Sequence, residues 1–327
     1  MKVLFLGGAG MIGSAAAAEA VARGVDVTIV TRSEPKRQVA GVRALRADVR
    51  DPAALRAVLG DSEFDAVVNW VGYTPDDVRD HPGLFTGRTG QYVFISTCSV
   101  YGRPVPQLPI TESSPRRQPV FGYARDKIAC ELLLEDAYRT DFPLTITRLF
   151  HTYDRTVVPV LAGWTAIERM RAGRPVVVHG DGTSLWTLMH SGDVARAFVP
   201  LLGNGHAVGE SVNVVSGDIL TWDQIHVMLA TAAGVRNPLL CHRSSESIAV
   251  HWPGWRDVLE HDFRHSMLFD TAKLRALVPD FAPRVSFSEG ARELVAYHDA
   301  NPALRKVDHD LDNAFDRLAE ETHIIPK

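Results

Sequence analysis

The chain has 327 residues, 46% hydrophobic and 23% charged, with a formal net charge of −4, so it can hold one large domain or two smaller ones around a substantial core. No basic face or tail points to nucleic acid, and no apolar run is long enough to span a bilayer. Three cysteines, Cys98, Cys130 and Cys241, with no C-x-x-C spacing and no signal peptide ahead of the first strand, predict a reducing, cytoplasmic setting.

Val3–Leu6 reads as a short buried strand that runs into a turn holding Gly7, Gly8, Gly10 and Gly13, followed by an alanine-rich helix over Met11–Arg23. Glycines there allow a sharp turn and a close approach of phosphate to the backbone, and the helix amides beyond them attract anions. The spacing fits G-x-G-x-x-G from Gly8 or G-x-x-G-x-x-G from Gly7; its place between a strand and a helix gives it weight. Val25–Thr31 is a second strand. An acidic residue at its end would suit the ribose 2′-hydroxyl of NAD, and an arginine the 2′-phosphate of NADP. Here Thr31-Arg32-Ser33 stands there, with Lys36 and Arg37 close behind, which favours NADP(H) with NAD(H) as the alternative.

Val42–Ala47 is a third strand ending at Asp48-Val49, with a helix over Pro52–Leu59; Phe64–Val71 is a fourth, bringing Trp70 and Val71 to its end and Tyr73 just beyond. Strands alternating with helices imply right-handed crossovers and a parallel sheet. Gln91–Ser96 is a fifth strand leading into Thr97-Cys98-Ser99-Val100-Tyr101-Gly102, and the proline-rich Arg103–Pro119 is a loop over the site. A helix over Phe121–Thr140 carries Tyr123 and Lys127 on one face, one turn apart. A tyrosine of pKa near about 10 is a poor base at neutral pH, and a neighbouring ammonium would lower that value.

Leu144–Phe150 is a sixth strand, Val160–Arg171 a helix, His190–Leu202 a helical segment and Ser211–Ser216 another strand. Trp222–Ala233 is helical, Gly234 to Asp280 irregular, Phe287–Asp299 helical, and Pro302–Ile325 a helical tail packed on the body or on a partner. His261 and His265 stand four apart without forming H-E-x-x-H, and no metal site is expected.

The set GGAGMIG (Gly7–Gly13), Asp48-Val49, ISTCSVYG (Ile95–Gly102), YARDK (Tyr123–Lys127), RLFHTYD (Arg148–Asp154), GDGTSLWTLMHSGD (Gly180–Asp193) and Phe269-Asp270 resembles the extended short-chain dehydrogenase/reductases of the NAD-dependent epimerase/dehydratase family. The resemblance runs over about Val3–Asn301 in the family's order. It implies an α/β fold, a Rossmann-type doubly wound parallel sheet with a smaller, mostly C-terminal substrate-binding domain. The expected division is 1–172 for the dinucleotide-binding domain, with 190–233 returning to it, then 173–189 and 234–300 for the substrate-binding domain, and 301–327 for the tail.

By the same resemblance Thr97, Tyr123 and Lys127 are catalytic, and Gly7, Gly10, Met11, Ile12, Gly13, Thr31, Arg32, Asp48, Val49, Trp70, Val71, Tyr123 and Lys127 hold the cofactor. Tyr73, Cys98, Ser99, His151 and Trp186 are the substrate-side candidates. Family dehydratases carry Asp-Glu where this chain has Cys98-Ser99, so dehydration is not expected. Family epimerases carry Asn where His151 stands and a diphosphate-binding Arg where Trp186 stands, and an indole cannot pair with a diphosphate as a guanidinium does. Trp186 reads equally as a platform for a base or sugar ring and as core.

The expected function is NAD(P)-dependent hydride transfer, as an epimerase or as a dehydrogenase/reductase, at a secondary alcohol or ketone carbon of a sugar-like or nucleoside-like substrate. A non-catalytic cofactor-binding scaffold or sensor is the alternative. Surplus apolar residues on the Phe121–Thr140 helix (Ile128, Ala129, Leu132, Leu133, Leu134) predict a homodimer, with no nucleic acid or membrane partner.

Overall fold

The structure is a computed structural model that describes residues 1–320 except Lys36, Pro119, Ser216 and Gly217. Its centre is a seven-stranded, all-parallel sheet made of β1 (Lys2–Leu6), β2 (Asp26–Thr31), β3 (Arg43–Arg46), β4 (Ala66–Asn69), β5 (Tyr92–Thr97), β6 (Leu144–Leu149) and β11 (Ser211–Val214). The strand order is β11-β6-β5-β4-β1-β2-β3, which reverses direction between β1 and β4. Ligands bind such sheets at that switch point, beyond the carboxyl ends of the strands. The central strands are buried on both faces, as their near-continuous Val, Ile, Leu and Phe runs require.

Helices cover both faces. α1 (Met11–Ala22) packs its alanines against α6 (Ser191–Phe198), while α2 (Pro52–Leu59), α3 (His81–Phe85) and the C-terminal half of α4 (Gly122–Tyr138) close the other side. A third apolar cluster lies beyond the sheet. It joins α5 (Trp164–Arg171), β8 (Val176–His179), α7 (Trp222–Ala232) and α11 (Phe287–Ala300). α5 and α7 contribute to this outer cluster, whereas α6 and β11 pack with the sheet, as expected of the segment returning to it.

The stretch expected to be irregular is ordered. β13 (Leu240–Arg243) pairs in parallel with β8, α8 (Ser245–His251) and a short turn at α9 (Arg256–Val258) follow, and a π-helical turn spans Leu259–Phe263. α10 (Ala272–Leu277) then returns to β11. Shorter pairings join β7 (Thr152–Tyr153) to β10 (Met189–His190) and β9 (Leu185–Trp186) to β12 (Leu220–Thr221). The last helix, α12 (His309–Glu320), packs Leu311, Phe315 and Leu318 on the body, clamped by Arg169 and Arg174 to Asp312 and Asp316. Residues 321–325 of the expected tail and Ser216 of the expected strand lie outside the described residues. Among the described residues, no helix is long and apolar enough to cross a membrane.

Candidate active site

At the end of β1 the chain turns through Gly7 and Gly8, both left-handed, with φ of +79° and +87°. A Cβ on Gly7 would lie 2.4 Å from Val71, and one on Gly13 would lie 2.4 Å from the Gly8 backbone, so neither position admits a side chain. Helix α1 starts from Gly10, whose position has open space around it and supplies no side-chain cap. The first amides of the helix are thus left bare at its positive end.

These amides open into a cleft of about 610 Å³. Every residue expected to hold a cofactor lines it: the turn from Gly7 to Gly13, Thr31 and Arg32 after β2, Asp48 and Val49 after β3, Trp70 and Val71 after β4, and Tyr123 and Lys127 on α4. Tyr73 lines it as well and is 47% exposed. Trp70 is wedged between Phe5 and Phe198, with ring centroids 5.6 and 5.3 Å away, and its buried indole N–H has no partner. Of the basic residues near the end of β2, Arg32 lines the cleft, Lys36 lies outside the described residues, and Arg37 is drawn away to Asp154 at 2.5 Å.

Thr97 ends β5, and its Oγ1 accepts the Ser99 amide at 3.1 Å, capping the single turn Cys98–Val100. Tyr123 lies in the first turn of α4, with its phenol facing Thr97. Burial of the phenol pushes Tyr123 up to about 12, against the pull of Thr97 and with a further upward push from the charge of Asp262. Lys127 is pushed down to about 8, chiefly by burial. The expected lowering of Tyr123 by Lys127 is therefore not what this arrangement gives. Lys127 Nζ donates to the carbonyls of Gly72 and Ile95, both at 2.7 Å, and lies over the rings of Phe94 and Tyr73.

Beneath these groups Glu131 of α4 binds β5 and β6 together. It accepts from Ser96 Oγ at 2.5 Å, from Arg148 at 3.0 and 2.8 Å, and from Arg116 at 2.7 Å. Those hydrogen bonds and the Arg148 charge hold its carboxyl below the usual range although burial opposes them.

Two substrate-side expectations are corrected. Cys98 is fully buried in the turn after β5; its thiol points to the Arg148 carbonyl, and burial pushes its pKa far up. Trp186 takes the core alternative. It is 1% exposed, its N–H donates to His151 Nδ1 at 2.9 Å, and its ring packs on Phe150, Trp222 and Phe263. His151 is consequently a hydrogen-bond acceptor in an aromatic wall, and burial pushes it down to about 4. Ser99, within the Cys98–Val100 turn, is buried and donates to Asp262 at 3.2 Å. Asp262, Arg103 and Glu131 had no motif to mark them: Arg103 and Asp262 are 159 residues apart. Among the described residues no cluster of three or more His, Cys, Asp or Glu is placed to hold a metal ion.

A parallel sheet with an uncapped, glycine-lined helix start at its switch point, and a Thr-Tyr-Lys group at the far end of the same cleft, defines a dinucleotide-binding protein of the short-chain dehydrogenase/reductase type. A family model for the NAD dependent epimerase/dehydratase family matches residues 3–215, and the chain belongs to that family. The 2′-dehydrokanamycin reductase of Streptomyces kanamyceticus is 26% identical over 298 residues, 87% of this chain and 81% of its own length. A dTDP-glucose 4,6-dehydratase of an Actinoplanes strain is 25% identical, over 92% of this chain and 98% of its own. The solved UDP-glucuronic acid 4-epimerase from Bacillus cereus, in complex with UDP-glucuronic acid and NAD, superposes with a TM-score of 0.72 at 20% identity, covering 92% of this chain and 99% of that one. Reductases, dehydratases and epimerases thus all stand among its relatives.

Proposed function

We propose that this protein is a nicotinamide-dependent oxidoreductase or epimerase that moves a hydride to or from a secondary alcohol or ketone carbon of a sugar-like substrate, with Tyr123 as the acid and base. The observation that carries the reading is the convergence of Thr97, Tyr123 and Lys127 at the end of the cleft whose other end is the bare start of α1. A scaffold or sensor would need only the glycine turn.

The turn and the α1 amides would hold the pyrophosphate, Asp48 and Val49 the adenine, and Lys127 the nicotinamide ribose. When bound, the nicotinamide supplies or accepts the hydride. Thr97 and Tyr123 orient the substrate oxygen between them. Held up at about 12, the Tyr123 phenol is protonated at neutral pH and is poised as the acid for reducing a ketone. As the carbonyl carbon gains a hydride, the carbonyl electron pair moves to oxygen, which takes the Tyr123 proton. Solvent then restores the phenol, and the reverse sequence oxidises an alcohol. Water elimination would need an acid and base where Cys98 and Ser99 stand; a buried thiol with a raised pKa serves as neither.

Arg32 lines the adenosine end, and among the described residues no carboxylate pairs with its guanidinium, which supports NADP(H) over NAD(H). Leu132, half exposed on α4, supports dimerisation through that helix. A monomer mass at micromolar concentration would refute the dimer.

Tyr123→Phe tests the central step. Turnover should fall by about 10²–10⁴, with reduced cofactor still bound within about threefold of wild type. Substantial turnover by this variant with cofactor bound would remove Tyr123 from the mechanism.

A further inference from the structure

Behind the wall of the cleft, between its Asp48–Val49 end and its Lys127 end, stands a single carboxylate. Asp77 closes one helical turn over Pro75–Asp77, just beyond β4, and its side chain is 9% exposed. Its Oδ2 accepts the amides of Tyr73 and Thr74, both at 2.9 Å, and its Oδ1 lies 2.8 Å from Arg50 Nε. Burial pushes the carboxyl up, but the Thr74 and Tyr73 amides and the Arg50 charge outweigh it and hold the group below its usual range, so it is ionised at neutral pH.

Each oxygen serves a different end of the cleft. Arg50 follows Asp48-Val49 after β3 and lines the cleft beside them, with its side chain half exposed. The Tyr73 and Thr74 amides belong to the turn that also supplies the Gly72 carbonyl, which accepts Lys127 Nζ at 2.7 Å, and the Tyr73 ring, whose centroid is 5.2 Å from that ammonium. The turn has no slack. A Cβ on Gly72 would lie 2.7 Å from Val78 and 2.9 Å from Phe94. A carboxylate that holds two successive amides fixes the chain there, so a shift at Asp77 passes to the Gly72 carbonyl and on to Lys127.

The charges around Lys127 single Asp77 out. Lys127 is faced by Cys130 and Glu131 on its own helix, by Asp77 and the Tyr73 ring from the segment after β4, and by the Ile95 carbonyl and Phe94 ring of β5. Glu131 is already paired with Arg148 and Arg116, and burial pushes the Cys130 thiol up to about 12, which leaves it neutral. Asp77 is then the carboxylate whose field on the ammonium is governed by one half-exposed partner, Arg50.

We propose that Asp77 is a positioning residue that couples the two ends of the cleft, fixing the Gly72–Thr74 turn to which Lys127 is bonded and anchoring Arg50 beside Asp48 and Val49; this rests on the reading above that the cleft holds a nicotinamide dinucleotide. Asp77 touches no ligand itself. It acts through Lys127 and Arg50.

The test titrates NADH, and AMP as a probe of the adenosine half alone, into the full-length wild type, Asp77→Asn and Arg50→Ala across about pH 6–10. Wild-type NADH affinity should fall as pH rises through about 8, where Lys127, pushed down by burial, loses its proton. Asp77→Asn should weaken NADH by about tenfold at neutral pH and AMP by at most about threefold. It should also move the fall to lower pH, because the ammonium has lost a neighbouring negative charge. Arg50→Ala removes a half-exposed side chain and should move the fall to higher pH, because Asp77 then acts on Lys127 unopposed; it serves if Asp77→Asn fails to fold. A residue that merely held the fold would weaken NADH and AMP alike and leave the midpoint in place, and that result would overturn the proposal. So would NADH affinity unchanged in Asp77→Asn, a midpoint that moves the same way in both variants, or a wild-type affinity flat across this range. A wild type that binds NADH, with Asp77→Asn binding equally well, loses only the positioning role, whereas a wild type that binds neither NADH nor NADPH loses the dinucleotide reading too.

Discussion

The cleft above the glycine turn and the outer cluster beside it are built by different means. At the first, five parallel strands deliver their carboxyl ends to one line, so residues at β1, β2, β3, β4 and β5 termini meet because the sheet register brings them together. At the second, Ser99 and Arg103 meet Asp262 across 163 and 159 residues of chain, and the wall behind them is assembled from β9, α7 and the π-helical turn. A site on strand ends inherits its precision from the sheet, while a site between an outer cluster and the sheet depends on how one packs on the other. The cleft should therefore be robust to substitution, and the packing of the outer cluster more easily altered.

That contrast can be broken most forcefully beneath β5. Glu131→Gln removes the charge facing Arg148, and losing one partner of such a buried pair should cost about 3–5 kcal/mol, read as a lower urea midpoint. A loss under about 1 kcal/mol would show that the sheet does not need this tie. Next in size is the response to acid. Burial holds His81 under the sheet, and His151 and His179 in the aromatic wall, at about 4 in the folded state against an ordinary 6.5. The unfolded chain then binds more protons between those values. Stability is whole above about pH 6.5 and falls as pH drops towards 4, by up to about 3 kcal/mol for each histidine. A urea midpoint unchanged from pH 7 to pH 5 would contradict the burial of these rings. Smallest is the cofactor choice: Arg32→Ala should lower the preference for NADPH over NADH by about tenfold, and an unchanged ratio of affinities would take Arg32 out of the adenosine site.

Much of the cofactor end was legible because each of its parts is local. A strand, a glycine turn and an alanine-rich helix follow one another within Lys2–Ala22, and Tyr123 and Lys127 share a helix face by spacing alone. The outer cluster was not legible. β13 is four residues long and is defined by its pairing with β8, more than sixty residues earlier; α8 has only seven residues and little periodicity. Asp262 owes its place to a π-helical turn that no local pattern announces. Cys98 misled by adjacency, since it follows Thr97 in sequence yet faces the β6 side of the strand end. For Trp186 the residue type left two uses open, and burial on β9 against Trp222 decided between them.

The central claim is that the cleft above the Gly7–Gly13 turn holds a nicotinamide dinucleotide beside Tyr123. The most direct measurement is a titration of NADH and NADPH into the wild-type protein and Gly13→Val, following the emission of the reduced nicotinamide. A valine Cβ at that position would lie 2.4 Å from the Gly8 backbone and force the turn apart. The account predicts saturable binding by the wild type and at least about a hundredfold loss in Gly13→Val, with folding confirmed by circular dichroism. Equal affinity in the two proteins, or no binding by the wild type, would contradict it.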